Sequence, residues 1–426
     1  MKPGSSQNII VGYDLGNQFC QISYYVQGTE NIETVASVAG TENYSIPTVL
    51  CKRSGVNQWF YGKEALRYAG EQDGVLVENL LDLALDGEPV RIDGETFDPV
   101  SLLALFLKRS LGLLAPIASV DRMVMMVITV EHPDALMAEL MEQVMNGLKL
   151  PVQKILLQSH KESFYYYMLH QSRDLWREKT ILLEYRDNKM LVYEMDYNRR
   201  TKPIVVYISD YSQPFTSYEP MPEEEAERET KYARLDSELT LLVGKLLGEG
   251  PVSSVYLIGE HFHEAWMKES LRLLCKGRRV FQGNNLYSKG ACYCVMERLC
   301  RSDEGKNYVF LGNDKLKSNI GMNILRRGED SYIALLDAGT NWYEAEKTVE
   351  FYLQDGNELE FEVVSLVGKE SFSVQMTLDG LRGDICRLRL KLFMKAENLV
   401  CAEVTDLGFG DLWPADNRVW TKEITI

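Results

Sequence analysis

The sequence predicts a mixed α/β protein that ends in an all-β domain, and three observations carry that prediction. The first is a strand, helix, strand unit. "MVMMVITV" (123–130) is an unbroken apolar run of buried-strand length, "HPDALMAELMEQVMNGLKL" is amphipathic at helical spacing, and "PVQKILLQ" is a second buried strand. The second is a change of texture after "RSDEGKN": from Tyr308 onward, short alternating runs are separated by turn residues. The third is size, since 426 residues exceed one small domain and 45% apolar residues suffice for ordinary cores.

Each element follows from local chemistry. Residues 9–26 alternate apolar and polar around a glycine turn, which predicts a strand hairpin. "SIPTVLCKR" is a strand broken at Pro47, and "GKEALRYAG" a short helix closed by Gly70. In "DPVSLLALFLKRSLGLL", Asp98 is the expected N-cap and Pro99 the first helical residue. The helix of 133–150 is expected to end at Asn146 and Gly147. "SHKESFYYYMLHQSRDLW" reads as a helix and "KTILLEY" with "KMLVYEMD" as a hairpin. Pro222 and four acids open the helix of "MPEEEAERETKYARLDSELTLLVGKLL", complementing its dipole as a solvated helix start. "VSSVYLIGE" is a strand running into a glycine turn, followed by helical "HEAWMKESLRLLCKG" and a last helix through "YSKGACYCVMERLC". In the all-β segment, Asp355-Gly356 is the strongest hairpin signal.

Charge and composition exclude several classes. With 46 basic against 62 acidic residues the net charge is −16, which repels phosphate backbones and anionic lipid. No nucleic-acid or membrane partner is expected. The start "MKPGSSQ" lacks an apolar leader, and no stretch has the roughly 18 apolar residues that span a bilayer, so a cytoplasmic protein is expected. The eight cysteines form no framework, which fits a reducing compartment.

The order of motifs resembles the DnaK-type heat-shock chaperones of the actin-like ATPase superfamily. "VGYDLGNQFCQIS" resembles that family's first phosphate motif. "IPTVLC" with "YGKEALRYA", and "VMMVITV" with "GLKLPVQKILLQ", are similar to the segments that follow it. "VYLIGEHFHEAWMKESLRLL" with "YSKGACY" resembles the adenosine motif and its closing helix. "YVFLGNDKLKSNIGMNIL" and "LDGLRGDICRLRLKLFMKAENLVCAEVTD" resemble the interdomain linker and the peptide-binding β-domain. The resemblance implies two ribonuclease-H-like lobes, 1–175 and a shortened 176–302, followed by a β-sandwich over 303–426.

It also implies a nucleotide cleft, lined here by Asp14, Gly16, Asn17, Gln18, Glu184, Gly259 and Glu260. Asp14 and Gly16 keep the first turn, but Asn17 and Gln18 stand where short hydroxyl residues belong and would crowd a phosphate. In the second motif Glu184 replaces the acid, while Arg186, Asp187 and Asn188 stand for three glycines. Asp187 would repel a phosphate about 4 Å away by about 4 kcal/mol at an effective dielectric of ~20, an effect that Arg186 offsets only by turning inward. The family's catalytic lysine aligns with Glu78 and its cleft glutamate with Ser159, and Glu260 replaces a second adenosine-motif glycine. These departures imply a pseudo-ATPase, with no catalytic residue, metal or cofactor, that binds protein or extended peptide through its last domain. Two alternatives are an active ATPase, with ATP and magnesium held by Asp14 and Glu184, and a structural assembly subunit.

Other features have plainer readings. Cys275, Cys292, Cys294 and Cys300 lack zinc-ligand spacing and read as buried thiols. His261 and His263 read as loop or helix-start residues, and "FYYYML" as helix packing. "DLGFGDLWP" (406–414) reads as a turn with Trp413 as an aromatic anchor, and Trp342, Trp413 and Trp420 as a core or a binding face. No serine or cysteine nucleophile signature is present.

Overall fold

The structure is a computed structural model. It describes residues 8–426 apart from 39, 72–73, 151–154, 187, 264–265, 355, 367–370, 382–384, 409–413 and 416–417. The described chain is mixed α/β with several sheets and no barrel. It divides into two compact units, one of 1–197 with 206–307 and one of 198–205 with 308–426.

The first unit holds two large sheets, whose main strands follow, and two small ones, Trp59–Tyr61 with Leu50–Arg53 and Gly74–Val77, and Val90–Ile92 with Glu95–Phe97. The first large sheet is formed by β1 (Ile9–Leu15), β2 (Phe19–Val26), β3 (Glu33–Thr34), β4 (Met123–Val130) and β5 (Ile155–Ser159), in the order β5-β4-β1-β2-β3. β4 is the apolar run of the sequence, and it runs parallel to both β1 and β5, whereas β2 is antiparallel to β1. The second sheet is formed by β6 (Lys179–Arg186), β7 (Lys189–Asn198), β8 (Ile204–Asp210), β9 (Val252–Ile258) and β10 (Arg279–Gly283), in the order β10-β9-β6-β7-β8. Here β6 is parallel to β9, β9 to β10, and β7 is antiparallel to β6. The five strands named in each sheet follow one order, and the first four of each share the same directions.

Nine α-helices lie among the described residues of the unit: α1 (Gly62–Gly70), α2 (Leu80–Asp86), α3 (Pro99–Leu111), α4 (Ala135–Leu148), α5 (His160–Leu169), α6 (Glu225–Gly248), α7 (Glu269–Leu274), α8 (Leu286–Leu299) and α9 (Asp303–Asn307). Asp98 caps α3 by accepting from the N–H groups of Val100 and Ser101, and Pro99 is its first residue. Three expected boundaries move. α4 runs on to Leu148 and is closed by Lys149 in the left-handed region, not at Asn146 and Gly147. α6 starts at Glu225, beyond Pro222. The long helix expected after Gly259 is instead a short 3-10 turn, Glu260–His263, and the six-residue α7.

α5 and α8 exchange contacts between the sheets, although the Ser163 hydroxyl of α5 still donates to Thr129 Oγ1 of β4 at 2.7 Å. α8 follows β10 of the second sheet, yet Ala291, Cys292, Cys294 and Val295 pack with Ile10 and Val127 of the first. α5 follows β5 of the first, yet Phe164 and Tyr167 meet Tyr256 of β9 edge-on at 6.4 and 5.8 Å. The two helices cross closely because Gly290 has no side chain: a Cβ there would lie 2.0 Å from the Ser163 carbonyl oxygen.

The second unit is a sandwich. Its sheets are β12-β11-β14-β15 and β13-β16-β17-β18, from β11 (Ser318–Arg326), β12 (Glu329–Leu336), β13 (Glu346–Gln354), β14 (Glu358–Ser365), β15 (Phe372–Thr377), β16 (Ile385–Ala396), β17 (Leu399–Asp406) and β18 (Val419–Thr425). Alternate residues of both sheets, among them Phe361, Val363, Leu388, Leu390 and Val404, make one core. The hairpin expected at Asp355-Gly356 is not formed. β13 pairs with β16 and β14 with β11 and β15, so the chain changes sheets between them. Trp342 and Trp420 pack partly buried against this core, and Trp413 lies outside the described residues.

Candidate functional site

The site centres on the ends of β1 and β6, the central strands of the two sheets. Parallel strands of one sheet leave their backbone ends and the following turns together, which is where α/β proteins build sites. Asp14 is the penultimate residue of β1, and Gly16 closes the turn after it, its N–H bonding the Phe19 carbonyl at 3.1 Å. Glu184 is buried on β6. Gly259 follows β9 with φ +109°, and a Cβ there would meet the Tyr185 carbonyl at 2.9 Å, so only glycine fits beside Glu184's neighbour. Glu260 opens the 3-10 turn after it.

Both acids are engaged by side chains of the chain itself. Asp14 Oδ1 lies 2.8 Å from Nε2 of His160, which is 3% exposed. An ionised carboxylate only accepts, so Nε2 carries the proton. The His160 ring stacks on that of Tyr287, with centroids 4.0 Å apart and planes within 7°. Tyr287 donates its hydroxyl to Glu184 Oε2 at 2.8 Å. Burial, and then the Glu184 charge, push the Tyr287 pKa well up, which keeps that proton in place. The other Glu184 oxygen accepts from Arg186 Nε at 2.6 Å, and Arg186 Nη1 reaches Glu131 Oε2 at 2.5 Å, just beyond β4 of the first sheet. Glu131 is held below the usual carboxylate range by hydrogen bonding from His132, with the Arg186 charge acting in the same direction and burial against it. A second bridge joins Lys161 of α5 to Asp210 of β8 at 2.9 Å.

The chain of contacts Asp14, His160, Tyr287, Glu184, Arg186, Glu131 therefore runs from one sheet to the other. Arg186 does turn inward. Asp187 lies outside the described residues. The first-turn amides also make contacts to other elements. Asn17 Oδ1 accepts from Asp82 N at 3.1 Å, in the first turn of α2, while Gln18 is exposed and its carbonyl accepts from Thr48 N at 2.9 Å. Ser159 caps α5, accepting from Glu162 N at 3.1 Å.

Sequence reasoning missed His160 and Tyr287 as site residues. A signal existed for the first. His160 and Lys161 are basic residues in the first turn of a helix, where the dipole disfavours positive charge, and each is explained by a facing acid. Among the described residues no group of three or more His, Cys, Asp or Glu is placed to hold a metal ion. Cys292 and Cys294 are buried, whereas Cys275 and Cys300 are exposed, which corrects the expectation for those two. His261 stacks on Tyr218 at 4.3 Å. No described helix is long and apolar enough to cross a membrane.

The chain belongs to the family of unknown function DUF5716, whose C-terminal part matches residues 31–313. Residues 315–426 match a domain of unknown function, DUF8552. Comparison with curated proteins finds no match.

Proposed function

We propose that this protein is a non-catalytic binding protein built on an actin-like, DnaK-type chaperone framework, with a vestigial nucleotide cleft filled by its own side chains. The observation that carries the reading is the engagement of both acids expected to position magnesium: Asp14 by His160, and Glu184 by Tyr287 and Arg186. A carboxylate already paired with a half-buried guanidinium has lost much of its attraction for a cation, and a stacked ring pair takes up room a triphosphate would need. The repeated strand order of the two sheets supports the two-lobed framework. The eight-stranded sandwich supports a β-domain that holds protein or extended peptide by strand addition, as the chaperone resemblance implies.

Thermal unfolding in millimolar ATP and magnesium tests the proposal. No shift is expected. A stabilisation above about 2 kcal/mol, which corresponds to ligand at roughly 30 times its dissociation constant, would overturn it in favour of a working nucleotide site.

A further inference from the structure

β10 is the outermost strand of the second sheet, paired on one side with β9. Such a strand presents backbone N–H and C=O groups along its outer side and is a template for another strand. Arg279, Phe281, Gln282 and Gly283 are exposed, and only Val280 is half-buried, packing towards α6 and α7. The opposite face carries two side chains at a spacing of two residues. Arg279 offers a cation. Phe281 offers a ring that stacks on Tyr256 at 5.0 Å and 18°, continuous through Tyr256 with Tyr167 at 5.8 Å.

The basic residues near this edge differ in how they are engaged. Nearby Arg272 is paired with Glu269 and Lys268 with Glu229, and Arg278 turns its Nη1 to the carbonyls of Leu273 and Leu274. Lys276 and Arg279 are exposed and have no acidic partner among the described residues, in a chain with 62 acids against 46 bases. An added strand with a carboxylate opposite Arg279 and an apolar side chain two residues on, opposite Phe281, would match both charge and pleat.

We propose that β10 is a docking edge for an extended acidic peptide, which adds to the second sheet as a further strand. This edge is formed by residues 279–283 of the first unit, none of which is among the cleft residues named above. The test uses the full chain and two fluorescein-labelled hexapeptides, EETFTV and KKTFTV, followed by anisotropy. The acidic peptide is expected to bind about tenfold more tightly than the lysine peptide at low salt, the preference shrinking at about 0.5 M salt. The double variant K276E/R279E, at two exposed positions, is expected to melt like the parent and reverse the preference, while Phe281→Ala weakens both peptides. Acidic-peptide affinity that is absent from the parent, or unchanged in K276E/R279E, overturns the proposal, the latter outcome locating the peptide elsewhere. Self-association that disappears in K276E/R279E overturns it in favour of a second copy of this chain.

Discussion

Arg186 holds two carboxylates at once, and its removal leaves Glu184 with the Tyr287 hydroxyl and Glu131 with His132 and the more distant Lys189. Breaking a fully buried pair costs roughly 3–5 kcal/mol; the Arg186 side chain is 33% exposed, so Arg186→Ala is expected to cost about 2 kcal/mol in urea unfolding. Arg186→Met with Glu131→Gln and Glu184→Gln should recover part of that loss, because no charge is then stranded. The same contact has a pH signature. Glu131 has a depressed folded-state pKa, so its contribution is present above the unfolded value near 4.3 and is lost as pH falls through the folded one. His132→Ala and Arg186→Ala should each make stability fall less steeply below about pH 4 than in the parent. The sequence singles out Asp14 and Glu184 because each lies near the end of a strand in a motif that resembles a phosphate motif. Their partners were not legible, since His160 lies 146 positions from Asp14 and Tyr287 lies 103 from Glu184. Only the packing of α8 against α5 brings Tyr287 and His160 together. At that crossing Gly290→Ala would push a methyl into the Ser163 backbone, and a loss of about 3 kcal/mol is expected in the same assay.

Elements were legible where local chemistry decides them. The apolar run of β4 and the Asp-Pro start of α3 stand where the sequence puts them. The exceptions have tertiary causes. Asp355-Gly356 has hairpin chemistry, but the alternating faces of β13 and β14 are both needed in one core from opposite sheets, so the two strands do not pair with each other; Asp355 itself lies outside the described residues. The helix read from 263 onward shrinks to α7, which is anchored from a different element. Asp236, in the middle of α6, accepts from the N–H groups of Glu269 and Ser270 at 2.8 and 3.0 Å and from the Ser270 hydroxyl at 2.5 Å. Burial opposes the charge of Asp236, but these bonds outweigh it and hold its carboxyl below the usual value. Asp236→Ala is expected to cost about 2 kcal/mol and to speed hydrogen exchange through α7 selectively.

For the whole molecule, the net charge of −16 and an isoelectric point near 5.0 place the solubility minimum close to pH 5, and turbidity scanned from pH 4 to about 8 should peak there. The broad class, α/β then all-β, was readable from the change in hydrophobic period after residue 301. The exchange of α5 and α8 was not, because each helix carries apolar residues suited to either sheet. That exchange means neither half of the first unit is self-sufficient. A gene cut between codons 175 and 176 would yield one fragment ending in α5 without its cover and another whose α8 is stranded. Each made alone should aggregate through the bare apolar surface, and the two produced together should recover a native complex by fragment complementation.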